Sequence, residues 1–494
     1  MVSRPLRVLH IASECAPFAK SGGLGDVVGA LPAAQRALGI DARVVMPLYR
    51  GIKWDALEKL PHTLVVPLGG RTVYGGVRRG RLENSEAPVY FLEHHHYFDR
   101  DGFYGDRHGE FGDNLERFAF LSRGAFELCR AEGFVPDVIH AHDWQAALAP
   151  VYVNSTMWGT EMHGCATVMT VHNLGYQGQF APADLPVTGL GFEHLNDREL
   201  EHFGALNLLK GGLMHADRIS TVSPSYAREI QQPENGAGLD GVIRSQRHRL
   251  AGILNGVDTS VWNPATDRYL PARFDMTHIG GKAACKALLQ RELGLPERSD
   301  VPVFAVIARL TEQKGLDVLL SILPSILAWD IQLVVLGTGD GALERGFTAA
   351  DRLRGDRIRA LLQFNDGLAH RIEAGADFFV MPSRYEPCGM NQMYSMRYGT
   401  LPIVHATGGL ADTVWNYDER TGDGTGFVLH ELSPGSLHDT LAWALATYHQ
   451  RPEHIGRMRR RAMEQPFDWG RSASLYEGLY RDAYRARRGH PFFG

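Results

Sequence analysis

The chain has 494 residues, 44% of them hydrophobic and 22% charged, with a net charge of −5. This is globular composition, with length enough for more than one domain and a large core. There is no long basic run to mark a nucleic-acid surface, and no apolar run reaches the ~20 residues of a membrane span.

The short basic clusters at 457–461 and 485–488 read as solvated helix faces. Residues 1–5 lead into a strand pattern without the charged and apolar regions of a signal peptide. Five cysteines, Cys15, Cys129, Cys165, Cys285 and Cys388, show no CxxC spacing. Together these features point to reduced thiols in a cytoplasmic protein, without a disulfide frame or a zinc site.

In chain order, short apolar runs at 7–13, 42–47, 89–93, 138–141, 167–172 and 218–222 predict strands buried on both faces. Between the first two, 24–38 carries apolar residues at helical spacing, with Gly39 as its stop. Strand, glycine turn, helix and strand make a βαβ unit, which winds right-handed into a parallel sheet. The second half repeats the rhythm, with strands at 303–308, 332–336, 358–363, 378–381 and 403–405 and helices at 316–327 and 391–398. Turn residues around Leu254-Asn255-Gly256-Val257-Asp258 place the join there. The expected fold is α/β, two doubly wound Rossmann-like domains facing one cleft. The expected domains are 1–251, 252–466 and a helical segment 467–494 that crosses back to the first.

Three strand-end motifs carry candidate chemistry. Lys20-Ser21-Gly22-Gly23-Leu24-Gly25-Asp26 combines a lysine, glycine amides and a helix N-terminus, a setting for a diphosphate, though a glycine-rich turn alone is common. Arg309 and Lys314 lie in a loop ahead of the 316–327 helix. They can neutralise a leaving diphosphate without a metal, and a salt-bridged surface turn accounts for them equally. Glu386, in Ser383-Arg384-Tyr385-Glu386-Pro387-Cys388-Gly389, can hold sugar hydroxyls, or it can be a helix-start acid. Thr407-Gly408-Gly409-Leu410 repeats the GGL turn, and its amides can meet the same phosphates.

Two further stretches, His140-Ala141-His142-Asp143-Trp144 and Thr170-Val171-His172-Asn173, follow first-domain strands. A His-x-His pair suggests metal, but no third ligand stands at suitable spacing, so no metal is expected. Trp144, Asp143 and Asn173 suit a carbohydrate. His94-His95-His96 reads as a loop before Tyr97, and Gly337-Thr338-Gly339-Asp340 as a strand-end turn. No GxSxG, HExxH or Cys-His motif is present, which argues against hydrolases and proteases.

These motifs in this order resemble bacterial and plastid-type glycogen and starch synthases, retaining glycosyltransferases of two Rossmann-like domains. The likeness also rests on Leu209-Lys210-Gly211-Gly212, on the Thr221-Val222-Ser223-Pro224-Ser225-Tyr226-Ala227 run and on Leu254-Asn255-Gly256-Val257-Asp258. It implies transfer of glucose from ADP-glucose to the non-reducing end of an α-1,4-glucan, with no cofactor. It also implies that Lys20, with Gly22 and Gly23, contacts the donor diphosphate, and that Arg309 and Lys314 grip it as well. Glu386 and His172 would line the glucose pocket, with Asp26 and Asn255 at further pocket positions. Phe364 would stack on adenine; Cys388, Gly389, Thr407, Gly408, Gly409 and Leu410 complete the implied donor site. Tyr104, Asp143, Trp144 and Asn173 would meet the acceptor. One departure stands out: the second acid of the broader family's E-x7-E pattern is Tyr394, as is usual for the bacterial branch. Where relatives often carry His after Asp-Trp, this chain has Gln145.

Overall fold

The computed structural model describes residues 4–83 and 85–492. Met1–Ser3 of the lead-in and the last two residues of the 467–494 segment lie outside the described residues. The chain divides into two compact units, residues 1–256 with 469–494, and residues 257–468. The boundaries fall after Gly256 and Asp468, where the sequence placed them after 251 and 466.

The first unit is built on seven parallel strands. They are β1 (Arg7–Ile11), β2 (Asp41–Pro47), β3 (Pro88–Glu93), β4 (Val138–His142), β5 (Ala166–Val171), β6 (Arg218–Thr221) and β7 (Leu250–Gly252). Their order across the sheet is β7-β6-β5-β4-β1-β2-β3. Val8, Ile11, Val44, Val138, Val168 and Met169 are wholly buried, as expected of strands covered on both faces. An antiparallel hairpin, Leu64–Leu68 and Arg71–Arg81, extends the β3 edge. The sequence reading gave no strand there and none at β7.

Helix α1 (Gly23–Ala37) follows β1 and ends where Gly39 takes a left-handed conformation (φ +84°). Gly39 and Ile40 N–H then donate to the Arg36 and Gln35 carbonyls, closing the last turn. Helix α2 (Asn114–Ala131) buries most of one side in the same unit. The C-terminal helix, Trp469–Arg488, belongs to this unit and packs against α1 and β5. Its Trp469, Ala473, Tyr476, Tyr480 and Ala483 share one core with Val8, Val27, Leu31, Val138 and Val168.

The second unit carries six parallel strands: β8 (Val303–Ile307), β9 (Gln332–Leu336), β10 (Ile358–Leu361), β11 (Phe378–Met381), β12 (Leu401–His405) and β13 (Phe427–Leu429). Their order is β10-β9-β8-β11-β12-β13. Helix α3 (Leu316–Ile326) follows β8, α4 (Asp366–Gly375) precedes β11, α5 (Asn391–Arg397) precedes β12, and α6 (Gly408–Thr413) follows β12; the C-terminal helix is therefore α7. Among the described residues, no helix is long and apolar enough to cross a membrane.

In each sheet the strand order reverses once, between β1 and β4 and again between β8 and β11. Connections leave those neighbouring strands in opposite directions, so loops at their carboxyl ends part and leave room for a ligand.

Because Tyr476 of α7 is fully buried in the first unit's core, Tyr476→Ala should lower that unit's unfolding free energy by about 3–5 kcal/mol. Denaturant titration followed by circular dichroism measures the loss.

Candidate active site

In the first unit the reversal point joins the end of β1 to the end of β4. Glu14, just past β1, is buried. It accepts hydrogen bonds from Ser21 N–H (2.5 Å), Ser21 Oγ (2.6 Å) and Tyr104 Oη (2.5 Å). Tyr104 also bonds Ser13 Oγ at 2.8 Å. Its burial beside the Glu14 carboxylate raises its hydroxyl well above the usual range. The Lys20 loop is thereby tied to the strand end. Lys20 itself pairs with Asp26 (2.7 Å) on the first turn of α1 and stays part-exposed. A Cβ on Gly22 or Gly23 would meet open space, so these two backbones face outward from the helix start.

Asp143, directly after β4, holds a left-handed backbone (φ 54°) that few residues other than glycine adopt. Its Oδ1 accepts the His172 N–H at 2.6 Å, pinning the end of β5 to the end of β4. Burial raises the Asp143 carboxyl to about 7, against bonds from the His172 and Asn173 backbones that oppose the shift. Strain and a perturbed carboxyl at a strand end make Asp143 a candidate functional position. Asn173 Oδ1 turns back on Gly175 N–H. Asn255, beyond β7, is buried, and its Oδ1 finds no partner among the described residues.

Trp144 is only 7% exposed. Phe118 meets its ring edge-on at 5.0 Å, Phe180 lies at 5.8 Å, and Gly178 leaves room for it. The ring that sequence reading assigned to the glucan therefore packs inside the unit.

Behind these loops lies a polar layer that the sequence did not reveal. Strand register sets His10 beside His140, and His142 beside Thr170, with His140 and His142 two apart on one face. His10, His140 and His142 offer ligand atoms within 4.8 Å of one another. The third imidazole missing from the local spacing is thus supplied by β1. All six ring nitrogens of the three are engaged by hydrogen bonds, with Gln35, Tyr480, Thr170 and His172 as the outer partners. Burial keeps these rings neutral, lowering His10 to about 4 and His172 to about 3.

In the second unit the reversal point joins the end of β8 to the end of β11. Arg309 is exposed in the loop after β8, and Lys314 closes a short 3-10 turn ahead of α3. Lys314 Nζ lies 2.6 Å from Glu386 Oε2, which also accepts from Ser383 Oγ at 2.9 Å. Glu386 is buried in its loop, and the next helix begins only at Asn391, so it is not a helix-start acid. The lysine of one motif and the acid of another therefore form one unit. Cys388 is buried beneath this loop, and Gly389 has φ +69°.

Two backbones touch where α6 begins. Gly408 has φ +46°, and a Cβ there would lie 1.9 Å from the Glu386 carbonyl. Gly409 N–H donates to that carbonyl at 3.1 Å. Thr407 and Leu410 are buried alongside. Phe364 stands 88% exposed between β10 and α4. Tyr394, where the broader pattern has an acid, stacks face to face on Trp262 (3.9 Å, 6°), whose other face carries His370 (3.9 Å, 5°). A carboxylate could not make that stack.

Residues 7–245 match the family model of the starch synthase catalytic domain, and residues 293–462 that of glycosyl transferases group 1. Glycogen synthase 1 of Geobacter metallireducens is 49% identical over 494 residues, covering 99% of this chain and 98% of that protein. The chain belongs to the glycogen and starch synthase family. Glycogen synthase of Treponema denticola is 44% identical, covering 97% of this chain and 98% of that protein. The solved catalytic domain of starch synthase IV from Arabidopsis thaliana, bound to ADP and acarbose, superposes with a TM-score of 0.90. It is 33% identical, covering 97% of this chain and 99% of that one. As a member of this family the chain is a glycosyltransferase of the two-Rossmann-domain (GT-B) class that builds glycogen-type glucan. A sucrose-phosphate synthase of Thermosynechococcus elongatus, 18% identical with a TM-score of 0.62, shares the fold.

Two outcomes follow from this geometry. Between pH ~4 and ~7 the folded protein holds a proton on Asp143 that the unfolded chain releases, so the parent loses stability as pH rises through that window. Asp143→Asn accepts the same His172 bond and tolerates the left-handed backbone. It should gain on the parent across the window by a few kcal/mol at most, on the order of the shift itself, read by urea titration at each pH. Gly408→Ala must move the Glu386 carbonyl, and should cost about 2 kcal/mol or more together with most of the transfer activity, read by thermal melts and turnover.

Proposed function

We propose that the chain transfers glucose from ADP-glucose to the non-reducing end of an α-1,4-glucan with retention at the anomeric carbon. The observation that carries this reading is the Lys314–Glu386 pair at the second unit's strand-order reversal, with exposed Arg309 on the same loop. A buried carboxylate that anchors a cation beside free loop space suits a sugar diphosphate. The cation meets the leaving group's charge, and the acid meets the sugar.

In this scheme the bond from glucose to phosphate breaks early, and positive charge spreads over the anomeric carbon and ring oxygen. Arg309 and Lys314 stabilise the departing ADP. Each well-placed charge contact is worth about 2–4 kcal/mol in the transition state. A phosphate oxygen of the leaving group takes the acceptor hydroxyl's proton as that hydroxyl attacks from the same face. The product gains one glucosyl unit and ADP departs, so neither a protein nucleophile nor a metal takes part. Phe364, fully presented to solvent, is the adenine platform of this scheme; Tyr104 and Asn173 face the acceptor. The setting is cytoplasmic, supported by five cysteines that are all buried and unpaired.

Incubating the protein with radiolabelled ADP-glucose and glycogen in EDTA should give polymer-bound label, with labelled UDP-glucose the poorer donor. Label that enters glycogen only from UDP-glucose, or only with added metal, would overturn the assignment. Arg309→Ala, an exposed position, should leave the melting temperature within a degree or two while cutting kcat by about 10²–10³. Near-normal turnover in that variant would remove Arg309 from the mechanism.

A further inference from the structure

The buried polar layer of the first unit is a directed chain. Gln35 of α1 donates its amide N–H to Tyr480 Oη of α7 (2.7 Å). Its Oε1 faces His10 Nε2 at 2.8 Å and can only accept, so His10 is protonated on Nε2. Because a neutral imidazole carries one proton, His10 Nδ1 must accept from His142 Nε2, 3.0 Å away. His142 Nδ1 then accepts in turn from His172 Nε2, again at 3.0 Å. The polarity runs from Gln35 along three rings. It ends on His172 Nδ1, a buried acceptor with no hydrogen-bond partner among the described residues.

A chain that satisfies every earlier atom and leaves its last acceptor bare is built to receive a donor there. His172 stands directly after β5, with its backbone held by Asp143 at the same strand ends. Its ring packs against His142, with 5.3 Å between ring centroids. We infer that Gln35, His10 and His142 are positioning residues that lock His172 in the Nε2–H tautomer, so that Nδ1 accepts a hydroxyl of the bound sugar. The identity of that sugar rests on the transferase reading above; the tautomer does not. The locked form has a specificity consequence. An acceptor nitrogen favours a hydroxyl and disfavours a carbonyl or ether oxygen at that point of the sugar.

The C-terminal helix α7 enters this network through Tyr480. Tyr480 accepts the Gln35 amide N–H, and its oxygen also lies 2.8 Å from His140 Nδ1. His140 continues to Thr170 Oγ1 (2.5 Å) and Ser220 Oγ (2.6 Å), a second branch that stays within the core.

The test reads the rings directly. Full-length protein labelled with 15N-histidine is examined by two-bond proton–nitrogen spectra, with His172→Gln to assign the signal. The wild-type spectrum should show His172 protonated on Nε2 and bare on Nδ1. Adding ADP-glucose should shift the Nδ1 resonance of His172 and leave those of His10 and His142 in place. In Gln35→Met, which keeps the bulk but offers no amide, His172 should become a mixture of both tautomers, and kcat/KM should fall about tenfold. Gln35→Glu, which retains an acceptor toward His10, should restore the single tautomer. A wild-type His172 protonated on Nδ1, or a Gln35→Met protein with an unchanged His172 tautomer, overturns the relay. ADP-glucose that binds without moving the Nδ1 signal overturns the acceptor role. Absence of glucosyl transfer alongside the stated tautomers counts against the transferase reading alone.

Discussion

Right-handed crossovers can leave a parallel sheet toward either edge, and in each unit of this chain their direction reverses once. That reversal is the constraint from which both site clusters follow. Between β1 and β4, and between β8 and β11, neighbouring strands send their chains apart, so backbone does not close over their carboxyl ends. The motifs occupy those gaps: Glu14 and Asp143 in the first unit, Arg309, Lys314 and Glu386 in the second. Moved to other strand ends, the same residues would sit under a crossover.

Given the gap, the problem becomes one of carrying charge into a partly buried place. The structure does this by pairing charges before they are needed. Lys20 has Asp26, Lys314 has Glu386, and Glu386 has Ser383 as well. Glu14, which takes three donors, is held in the same way. Such pairing offsets the desolvation that an isolated ion would suffer, and it fixes side-chain direction at the same time. Asp143 is the exception. It has only backbone donors, and its carboxyl is driven toward neutrality.

Much of this was legible in the amino-acid order. Val303–Ile307 is continuously apolar and Gln332–Leu336 is apolar after its first residue, and the structure makes them central strands with bounds close to those read. The 64–81 hairpin escaped because Pro67 and three glycines, Gly75, Gly76 and Gly80, interrupt its pattern. The structure uses the gaps to admit Phe120 and Leu57. β7 and β13 are three residues each, too short for periodicity to register. The Lys314–Glu386 contact joins positions 72 apart, and the histidine layer depends on register between β1 and β4, 130 residues away in the chain. Local spacing carries no trace of either. Trp144 shows the opposite error. An aromatic among polar neighbours looked like a sugar platform, while the partners that bury it, Phe118 and Phe180, lie elsewhere in the sequence.

The assignment of the last helix has a consequence for how the polypeptide matures. The second unit is one uninterrupted stretch, whereas the first is assembled from residues 1–256 and 469–494. During synthesis the inserted stretch has its whole sequence available before its host does. The host's sheet must meanwhile wait with Val8, Val138 and Val168 lacking the cover of Tyr476 and Tyr480. The domain translated first is the one finished last, and its exposed apolar face is what a nascent-chain chaperone would have to guard.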